Sequence, residues 1–564
     1  MIDAGTLGDA LEAMGRRERH KAVLVHPGSR TRLTAADLCT AVRRRAAHLL
    51  ASGVRPGDVV AVLASPTAPA LISLLAAVRA GAAVTVLPVR PMGRELPAQS
   101  EHLARIVATA RARHVVVDDT PPYSELGDAL RRRCAGLRLH GVRGEARPVN
   151  LPTPGPDDLA VVQFSSGSLS APKGVALTHR AFLAGVRTLT GLLEIDAADV
   201  HVNWPPLHHD LGLVMTLAHL LAGAETHVLA PLSFVRDPGG FVRYLSGTGC
   251  TSMSSPDFGY ALMADAATEP YDGLELSRLR FALNAAEEAR AGTMERFTRA
   301  FARYGLSPAA LCPAYGMAEV TLLLTATPVS AVPRVRYVDR ALLGDGRIVL
   351  PRAAGDPRAK PLTSVGVAGP GVELRLVDQG GAVVPDGTLG EIQARAPGMT
   401  AGYLHAPEAT AAAFDGPWLR TGDLGFRVDG ELYWAARHKE MIVCEGRNLF
   451  PEDVEALARE VPGVFRRRCV AVAAVGADGE ERIALLAEGP SDAGDAAALE
   501  DLLRGRIGDA LGVGCLDVRV LPPGALPRTT SGKWQRLRAR DLMTGAQNSA
   551  GQPPAADSNK EYSS

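Results

Sequence analysis

The 564-residue sequence has no surplus of charge, since 61 Lys and Arg balance 61 Asp and Glu. A neutral chain has no general electrostatic pull on nucleic acid or an anionic membrane, and neither is expected as a partner. It also lacks a C-x-x-C pair. Its seven cysteines, Cys39, Cys134, Cys250, Cys312, Cys444, Cys469 and Cys515, are scattered without metal-ligand spacing. That argues against a disulfide framework or structural zinc and for a reducing compartment. No long apolar run is present. The longest, Leu211 to Ala224, is interrupted by His219 and falls short of the roughly 20 residues a bilayer span needs. The N-terminal MIDAGTLGDALEAMGRRERHK lacks the apolar stretch of a signal peptide. A cytoplasmic protein with a buried helix near 211–224 is expected. There is no internal repeat and no G-x-x-x-x-G-K-[ST] phosphate loop.

What is present is an alternation of apolar strands and helices over a chain long enough for one large and one smaller domain. Thr34 and Asp37 make a capping-box start to a helix over 34–53, and Gly53 stops it. Runs at 58–63, 84–89 and 114–117 predict strands, and those at 69–80 and 102–112 predict helices. This pattern points to a mainly parallel α/β sheet. From about Val365 the chain turns Gly-rich with short β-like runs, which suggests a small β subdomain. Beyond the charged Arg437-His438-Lys439-Glu440 a compact α+β pattern begins. The boundary is set at Glu440, giving domains over 1–439 and 440–543. The polar tail 544–564, with its Gly and Pro, reads as disordered.

Several segments carry residues suited to chemistry. Val161 to Phe164 is a β-like run ending in Ser165-Ser166-Gly167-Ser168, followed by Pro172-Lys173-Gly174. Small hydroxylated residues and glycine admit an anion close to backbone N–H groups, and lysine adds charge, so phosphate suits this turn. An ordinary Ser/Gly hairpin fits the same composition. His209-Asp210 follows a Trp-Pro-Pro turn and reads as a catalytic pair or a structural one. Tyr315, Gly316, Met317 and Glu319 lie in a segment read as a loop, where an aromatic face can stack on a base and a carboxylate can hold Mg²⁺. The competing reading is a loop Tyr and a solvated Glu. Thr421-Gly422-Asp423 reads as a tight turn with an exposed carboxylate able to accept ribose hydroxyls. Lys533 ends a flexible Pro527-Arg528-Thr529-Thr530-Ser531-Gly532 loop that is able to deliver one positive charge to a transition state.

In this order the segments resemble the adenylate-forming superfamily of acyl- and aryl-CoA synthetases, peptide-synthetase adenylation domains and luciferases, over roughly residues 5–540. They are most similar to the fatty acyl-AMP ligases, through WPPLHHDLGL, Asn284 to Glu288, Tyr315 to Thr321 and Gly446 to Glu455, with 332–362 where those ligases carry an insertion. The resemblance implies a large N-terminal domain of α/β sheets with a small β subdomain, plus a small mobile α+β C-terminal domain. It implies ATP-dependent conversion of a carboxylic acid, a fatty acid in those ligases, to an acyl-adenylate. The acyl group then passes to the phosphopantetheine thiol of a separate acyl carrier protein, with free CoA as the alternative acceptor.

By position, Ser165, Ser166, Gly167, Ser168 and Lys173 would hold phosphates, and Ala286, Glu287, Tyr315, Gly316 and Met317 the adenine. Asp423 and Arg437 would hold the ribose, Glu319 would ligate Mg²⁺, and Glu440 would be the hinge. Lys533 would bridge the attacking carboxylate and the α-phosphate, and His209 would stand at the carboxylate entrance. Leu169 and Ser170 depart from the superfamily's phosphate loop, and Ala285, Ala436 and Glu440 from its other motifs. Slower ATP handling, or a weakened nucleotide-binding protein, is the reading those departures leave open.

Overall fold

The computed structural model describes residues 4–89, 96–147, 149–164, 172–268, 270–344, 349–356, 358–444, 447–475, 481–528 and 534–544. By internal contacts the chain divides into two compact units, Met1–Lys439 and Glu440–Ser564.

The larger unit holds two α/β sheets and an antiparallel β subdomain. In the first sheet Arg138–Gly141, His114–Val117, Val59–Leu63, Ala83–Val86 and Leu159–Phe164 run parallel, and Gly174–Thr178 closes the edge antiparallel. The second centres on six parallel strands in the order Leu311–Tyr315, Phe281–Asn284, Ser252–Ser255, Val200–Asn203, Glu225–Val228 and Ala22–His26, with antiparallel strands at both edges. Strands buried on both faces read as continuous apolar runs, and Val59–Leu63 is buried at every position. The helix Ala35–Ala51 starts at the expected capping box, with Thr34 Oγ1 accepting from the Asp37 N–H and the Asp37 carboxylate accepting from the Thr34 N–H. The β subdomain pairs Glu373–Val377, Gly390–Arg395, Trp418–Val428 and Glu431–Arg437 antiparallel. Within 332–362 the strand Val335–Asp339 pairs with Ala359–Thr363.

The apolar stretch at 211–224 forms the buried helix Asp210–Ala222, ended by Gly223 at φ 86°. No helix among the described residues is long and apolar enough to cross a membrane. Beneath this helix His219 stacks on His201 with ring centroids 3.7 Å apart. His219 Nδ1 lies 2.8 Å from the Met215 carbonyl, which only accepts, so Nδ1 carries the proton. Nε2 then accepts from Ser252 Oγ at 3.1 Å, and Ser252 Oγ accepts from His201 Nδ1 at 3.1 Å. The row closes as a chain of neutral donors and acceptors.

The smaller unit has a three-stranded sheet, Cys469–Val475, Glu481–Glu488 and Leu516–Leu521, covered by the helices Pro451–Arg459 and Ala493–Leu511. The scattered cysteines, read as arguing against a disulfide framework, include one bonded pair. Cys444 and Cys515, 71 residues apart, are joined as a disulfide, while Cys39, Cys134, Cys250, Cys312 and Cys469 keep their thiols. The two come together because Ile442–Cys444 packs beside the Glu481–Glu488 strand that pairs with Leu516–Leu521, a proximity no sequence spacing records. The tail 545–564 lies outside the described residues.

Candidate active site

Asp423 sits in the strand Trp418–Val428, directly opposite Arg437 in Glu431–Arg437. Arg437 Nε donates to Asp423 Oδ1 at 3.0 Å, and Tyr315 Oη donates to Asp423 Oδ2 at 2.9 Å. The expected tight turn with an exposed carboxylate is therefore corrected: the backbone is a strand, and the Asp423 side chain is 3% exposed. Gly422 at φ 70° supplies the local irregularity that looks like a turn in sequence, while the ladder continues on both sides. Thr421 Oγ1 accepts the Asp423 N–H at 3.1 Å and donates to the Ile392 carbonyl at 2.7 Å, fixing the carboxylate's base. Tyr315 is also corrected, from loop residue to last residue of the buried strand Leu311–Tyr315. Burial, then the Asp423 charge, push its phenol well above the ordinary range, so it stays a donor. Arg437 keeps its side chain 45% exposed, so this buried carboxylate is paired with a cation that reaches solvent.

The chain past Tyr315 is shaped by close approach. A Cβ on Gly316 would stand 1.8 Å from the Leu322 carbonyl oxygen, so no other residue fits. Met317 leads into the short turn Ala318–Val320, and Thr321 follows at φ 74°, its Oγ1 donating to the Gly398 carbonyl at 2.9 Å. Gly185 and Gly398 make room for Thr321, because a Cβ on Gly185 would lie 2.4 Å from the Thr321 Cβ. Glu319 is neither free nor fully solvated. Its Oε1 accepts from Tyr403 Oη at 2.9 Å and its carbonyl accepts from the Thr400 N–H at 2.7 Å. Burial and then the Glu319 charge raise the Tyr403 phenol, which again remains a donor.

Tyr403 ties this segment to the flank of the Ser/Gly stretch. It bridges Val175 antiparallel, the Leu404 N–H donates to the Gly174 carbonyl at 2.7 Å, and Lys173 Nζ lies 5.3 Å from the Tyr403 ring centroid. Leu159–Phe164 and Gly174–Thr178 pair antiparallel up to Phe164 and Gly174. Ser165, Ser166, Gly167 and Ser168, with Leu169 and Ser170, lie outside the described residues, as does Lys533.

Ala286 stands just past the buried strand Phe281–Asn284 with φ 72°. Glu287 Oε2 accepts from the Phe258 N–H at 3.2 Å. The turn is framed by Asp257, fully buried, which accepts from Asn284 Nδ2 at 3.1 Å, the Arg290 N–H at 3.1 Å and Thr293 Oγ1 at 3.0 Å. Burial raises the Asp257 carboxyl despite Arg290. His209 precedes the helix Asp210–Ala222, its ring 4.5 Å from His208. Gln163 Nε2, next to the end of its strand, donates to the His208 carbonyl at 3.3 Å. His209 thus stands beside the strand leading to the Ser/Gly stretch. The structure brings Tyr315, Asp423 and Arg437 into one cluster and Glu319, Tyr403 and Lys173 into another. The segment 315–319 belongs to both.

Tyr403 and Asp257 were not identified from sequence, and Thr321 only as the end of the Tyr315 to Thr321 motif. Only the Pro397-Gly398 to Gly402-Tyr403 run, dense in small residues, hints that a backbone passes closely there. Among the described residues no three His, Cys, Asp or Glu side chains gather as a metal site, and the segment 315–319 carries one carboxylate, Glu319. That suits Mg²⁺, which is commonly held by one or two carboxylates with substrate phosphates and water.

Two parallel α/β sheets, an antiparallel subdomain and a separate small α+β unit form the architecture of adenylate-forming enzymes. A solved structure from work on fatty acyl-adenylate ligases of E. coli and L. pneumophila matches 97% of this chain and 99% of its own, with a TM-score of 0.88 at 27% identity. The AMP-binding enzyme model matches residues 11–404, and the chain belongs to that family. It is 31% identical to the long-chain-fatty-acid–AMP ligase FadD32 of Mycolicibacterium smegmatis, over 89% of this chain and 87% of that one. It is 33% identical to a putative acyl-CoA synthetase of Caulobacter vibrioides, over 88% of this chain and 87% of that one.

Proposed function

We propose that this protein activates a fatty acid with ATP and passes the acyl group to the phosphopantetheine thiol of a separate acyl carrier protein. The observation that carries the reading is the continuous segment 315–319, which joins the buried Asp423 carboxylate through Tyr315 to the Lys173 flank of the Ser/Gly stretch through Glu319 and Tyr403. A nucleotide's sugar and its phosphates need such spacing along one wall. Asp423, held acceptor-only by its two donors, takes the ribose hydroxyls with Arg437 at its side. Tyr315, Gly316, Met317, Ala286 and Glu287 frame the base. Ser165 to Ser168 and Lys173 take the phosphates. Glu319 holds Mg²⁺, which neutralises phosphate charge when bound.

In the first step a carboxylate oxygen, entering past His209, bonds to the α-phosphorus as the bond to pyrophosphate breaks. Lys533 offsets the negative charge gathering on the α-phosphate and the attacking oxygen. In the second, the thiol sulfur bonds to the acyl carbon, AMP departs, and the thiol proton goes to solvent. Residues 1–439 form the nucleotide-binding domain, 440–543 the domain that brings Lys533, and 332–362 the segment that favours carrier protein over CoA by restraining rotation. Free CoA is the second reading, favoured by the similarity to the putative acyl-CoA synthetase.

Purified protein incubated with a fatty acid and Mg·ATP should release pyrophosphate only when the acid is present, and Lys533→Ala should nearly abolish this while ATP still binds. Adding a holo-carrier protein or CoA identifies the acceptor. ATP binding without acid-dependent turnover would overturn the reading in favour of a nucleotide-binding protein.

A further inference from the structure

In the smaller unit the chain passes from the helix Pro451–Arg459 to the strand Cys469–Val475 through Phe465-Arg466-Arg467-Arg468. Both ends of this turn are fixed. Val464 is buried in the unit's core, and its carbonyl accepts from the Arg467 N–H at 3.2 Å. On the other side the Glu488 N–H donates to the Arg468 carbonyl at 2.9 Å, and the Arg468 guanidinium donates to the buried Glu488 carboxylate at 3.1 Å. Between these anchors Arg466 and Arg467 stand one after the other in the left-handed region, at φ 47° and 55°. Glycine adopts that backbone freely, whereas a side chain's Cβ opposes it. Gly463, three residues earlier, has φ 101°, so glycine serves such a backbone close by while arginine holds the turn itself.

The strained residues are also the uncompensated ones. In the same unit Arg459, Arg468, Arg482, Arg504 and Arg506 each face a carboxylate at 3.7 Å or less. Arg466 and Arg467 are exposed, and neither has a carboxylate partner among the described residues. Beside them Phe465 is 37% exposed, with the Arg466 and Arg468 guanidiniums 5.3 Å and 5.7 Å from its ring centroid. An exposed ring gripped by two cations, next to two charges the fold leaves unpaired, has the composition of an interface centre, where aromatics and arginine are enriched. Backbone strain with no packing return in the unit itself points to a function outside it.

We propose that the turn Phe465–Arg467 docks an acidic face of the carrier protein that accepts the acyl group. The inference rests on the carrier reading given above. Charge complementarity selects the occupant: two adjacent unpaired guanidiniums call for carboxylates, and the ring between them calls for an apolar contact. A nucleic acid or an anionic membrane would need a long basic stripe, and the chain as a whole is neutral. A carrier protein is also the one macromolecule that the second half-reaction requires.

Two acceptors separate docking from chemistry. Transfer is followed as AMP release from a synthetic acyl-adenylate, either with the holo-carrier protein or with pantetheine, which has the thiol but no protein surface. Arg466→Glu combined with Arg467→Glu should raise KM for the carrier about tenfold or more at low salt. Transfer to pantetheine and acid-dependent pyrophosphate release should stay within about twofold of the parent. The difference in carrier KM should shrink at about 0.5 M salt, where exposed charges are screened. The apo-carrier, which lacks the arm and its phosphate, should compete with the holo form on the parent. Arg466→Gly combined with Arg467→Gly relieves the left-handed backbone, so the melting temperature should hold or rise while carrier KM still rises about threefold or more. This pair decides the matter if the Glu pair does not fold. Unchanged carrier KM, equal losses with carrier and pantetheine, or no competition by the apo-carrier would overturn the proposal. A parent that acylates CoA and no carrier removes the carrier reading and this inference with it. A parent that acylates the carrier, with both variant pairs unaffected, removes this inference alone.

Discussion

Beneath the helix Asp210–Ala222 the buried titratable groups are neutral, whereas in the C-terminal unit the buried groups at Arg536 are charged. In the first cluster no carboxylate among the described residues pairs directly with either ring, so burial lowers His219 to about 4 and His201 well below the ordinary value, and Ser252 links them through hydroxyl and ring bonds. In the second, burial pushes Glu455 up, but Arg536 and Arg459 outweigh it and hold the carboxyl below its ordinary value. A buried group keeps its charge when its counter-charge is built in at hydrogen-bond distance, and loses it otherwise. The two regions should therefore fail under different conditions.

Acid should separate them most strongly. A histidine whose folded pKa is depressed is neutral in the fold, while the unfolded chain binds its proton below the reference value of 6.5. Its stabilisation is complete above pH 6.5 and drains away as pH falls toward the folded value, at about 1.4 kcal/mol per pH unit for each such histidine. His201, His219 and His140, the last lowered to about 4, act together. Glu455 has the opposite sign: its stabilisation is complete above the reference 4.5 and is lost only as pH falls below that toward its lowered folded value. Between pH 6.5 and 4.5 amide exchange should accelerate around 200–255 and stay slow around 451–475. The reverse order of opening would break the comparison.

Removing a charge should reverse the ranking. Arg536→Met leaves Glu440, Glu452 and Glu455 without their shared cation, and should cost about 3–5 kcal/mol in urea unfolding followed on the C-terminal unit. His219→Gln at pH 7.5 keeps a neutral side chain of related reach and should cost less. A larger loss for His219→Gln would mean that the ion cluster contributes little.

How far these clusters can be read from the sequence depends on the sequence distance between partners. The capping box at Thr34 and Asp37 and the buried helix after Asp210 are local, set by side chains a few positions apart, and they are plain in the residue order. Tyr315, Glu319, Asp423 and Arg437 can be selected from residue type and order, but not their surroundings. Thr421-Gly422-Asp423 reads as a turn because Gly with a positive φ serves turns and irregular strands alike, and only the pairing with Gly390–Arg395 and Glu431–Arg437 decides. The Tyr403 contact to Glu319 spans 84 residues and the Arg536 contact to Glu455 spans 81, and no periodicity carries such information.

Asp423 lies between the two extremes, buried like the histidines and ion-paired like Glu455, with a cation open to solvent. Asp423→Asn keeps the shape and removes the charge. It should weaken ATP use by about 2–3 kcal/mol, roughly 30- to 150-fold in kcat/KM, with the melting temperature nearly unchanged. A large stability loss with unaltered kinetics would instead group Asp423 with the structural ion cluster.

The smallest effect tests whether Tyr403 belongs to the site or only to the scaffold. Its backbone already bridges Val175, and its neighbours Gly402 and Leu404 bond to the strand Gly174–Thr178, so the hydroxyl is not needed to hold the segment. What the hydroxyl does is occupy one oxygen of Glu319 at 2.9 Å. Removing it in Tyr403→Phe frees that carboxylate to rotate, and a hydrogen bond to a charged acceptor is worth about 1.5–3 kcal/mol. If Glu319 holds Mg²⁺, the loss should appear as an increase of about tenfold in the Mg²⁺ concentration needed for half-maximal pyrophosphate release, with the rate at saturating Mg²⁺ close to the parent's. A drop in that saturating rate without a shift in Mg²⁺ demand would place Tyr403, through Lys173 over its ring, on the phosphates instead.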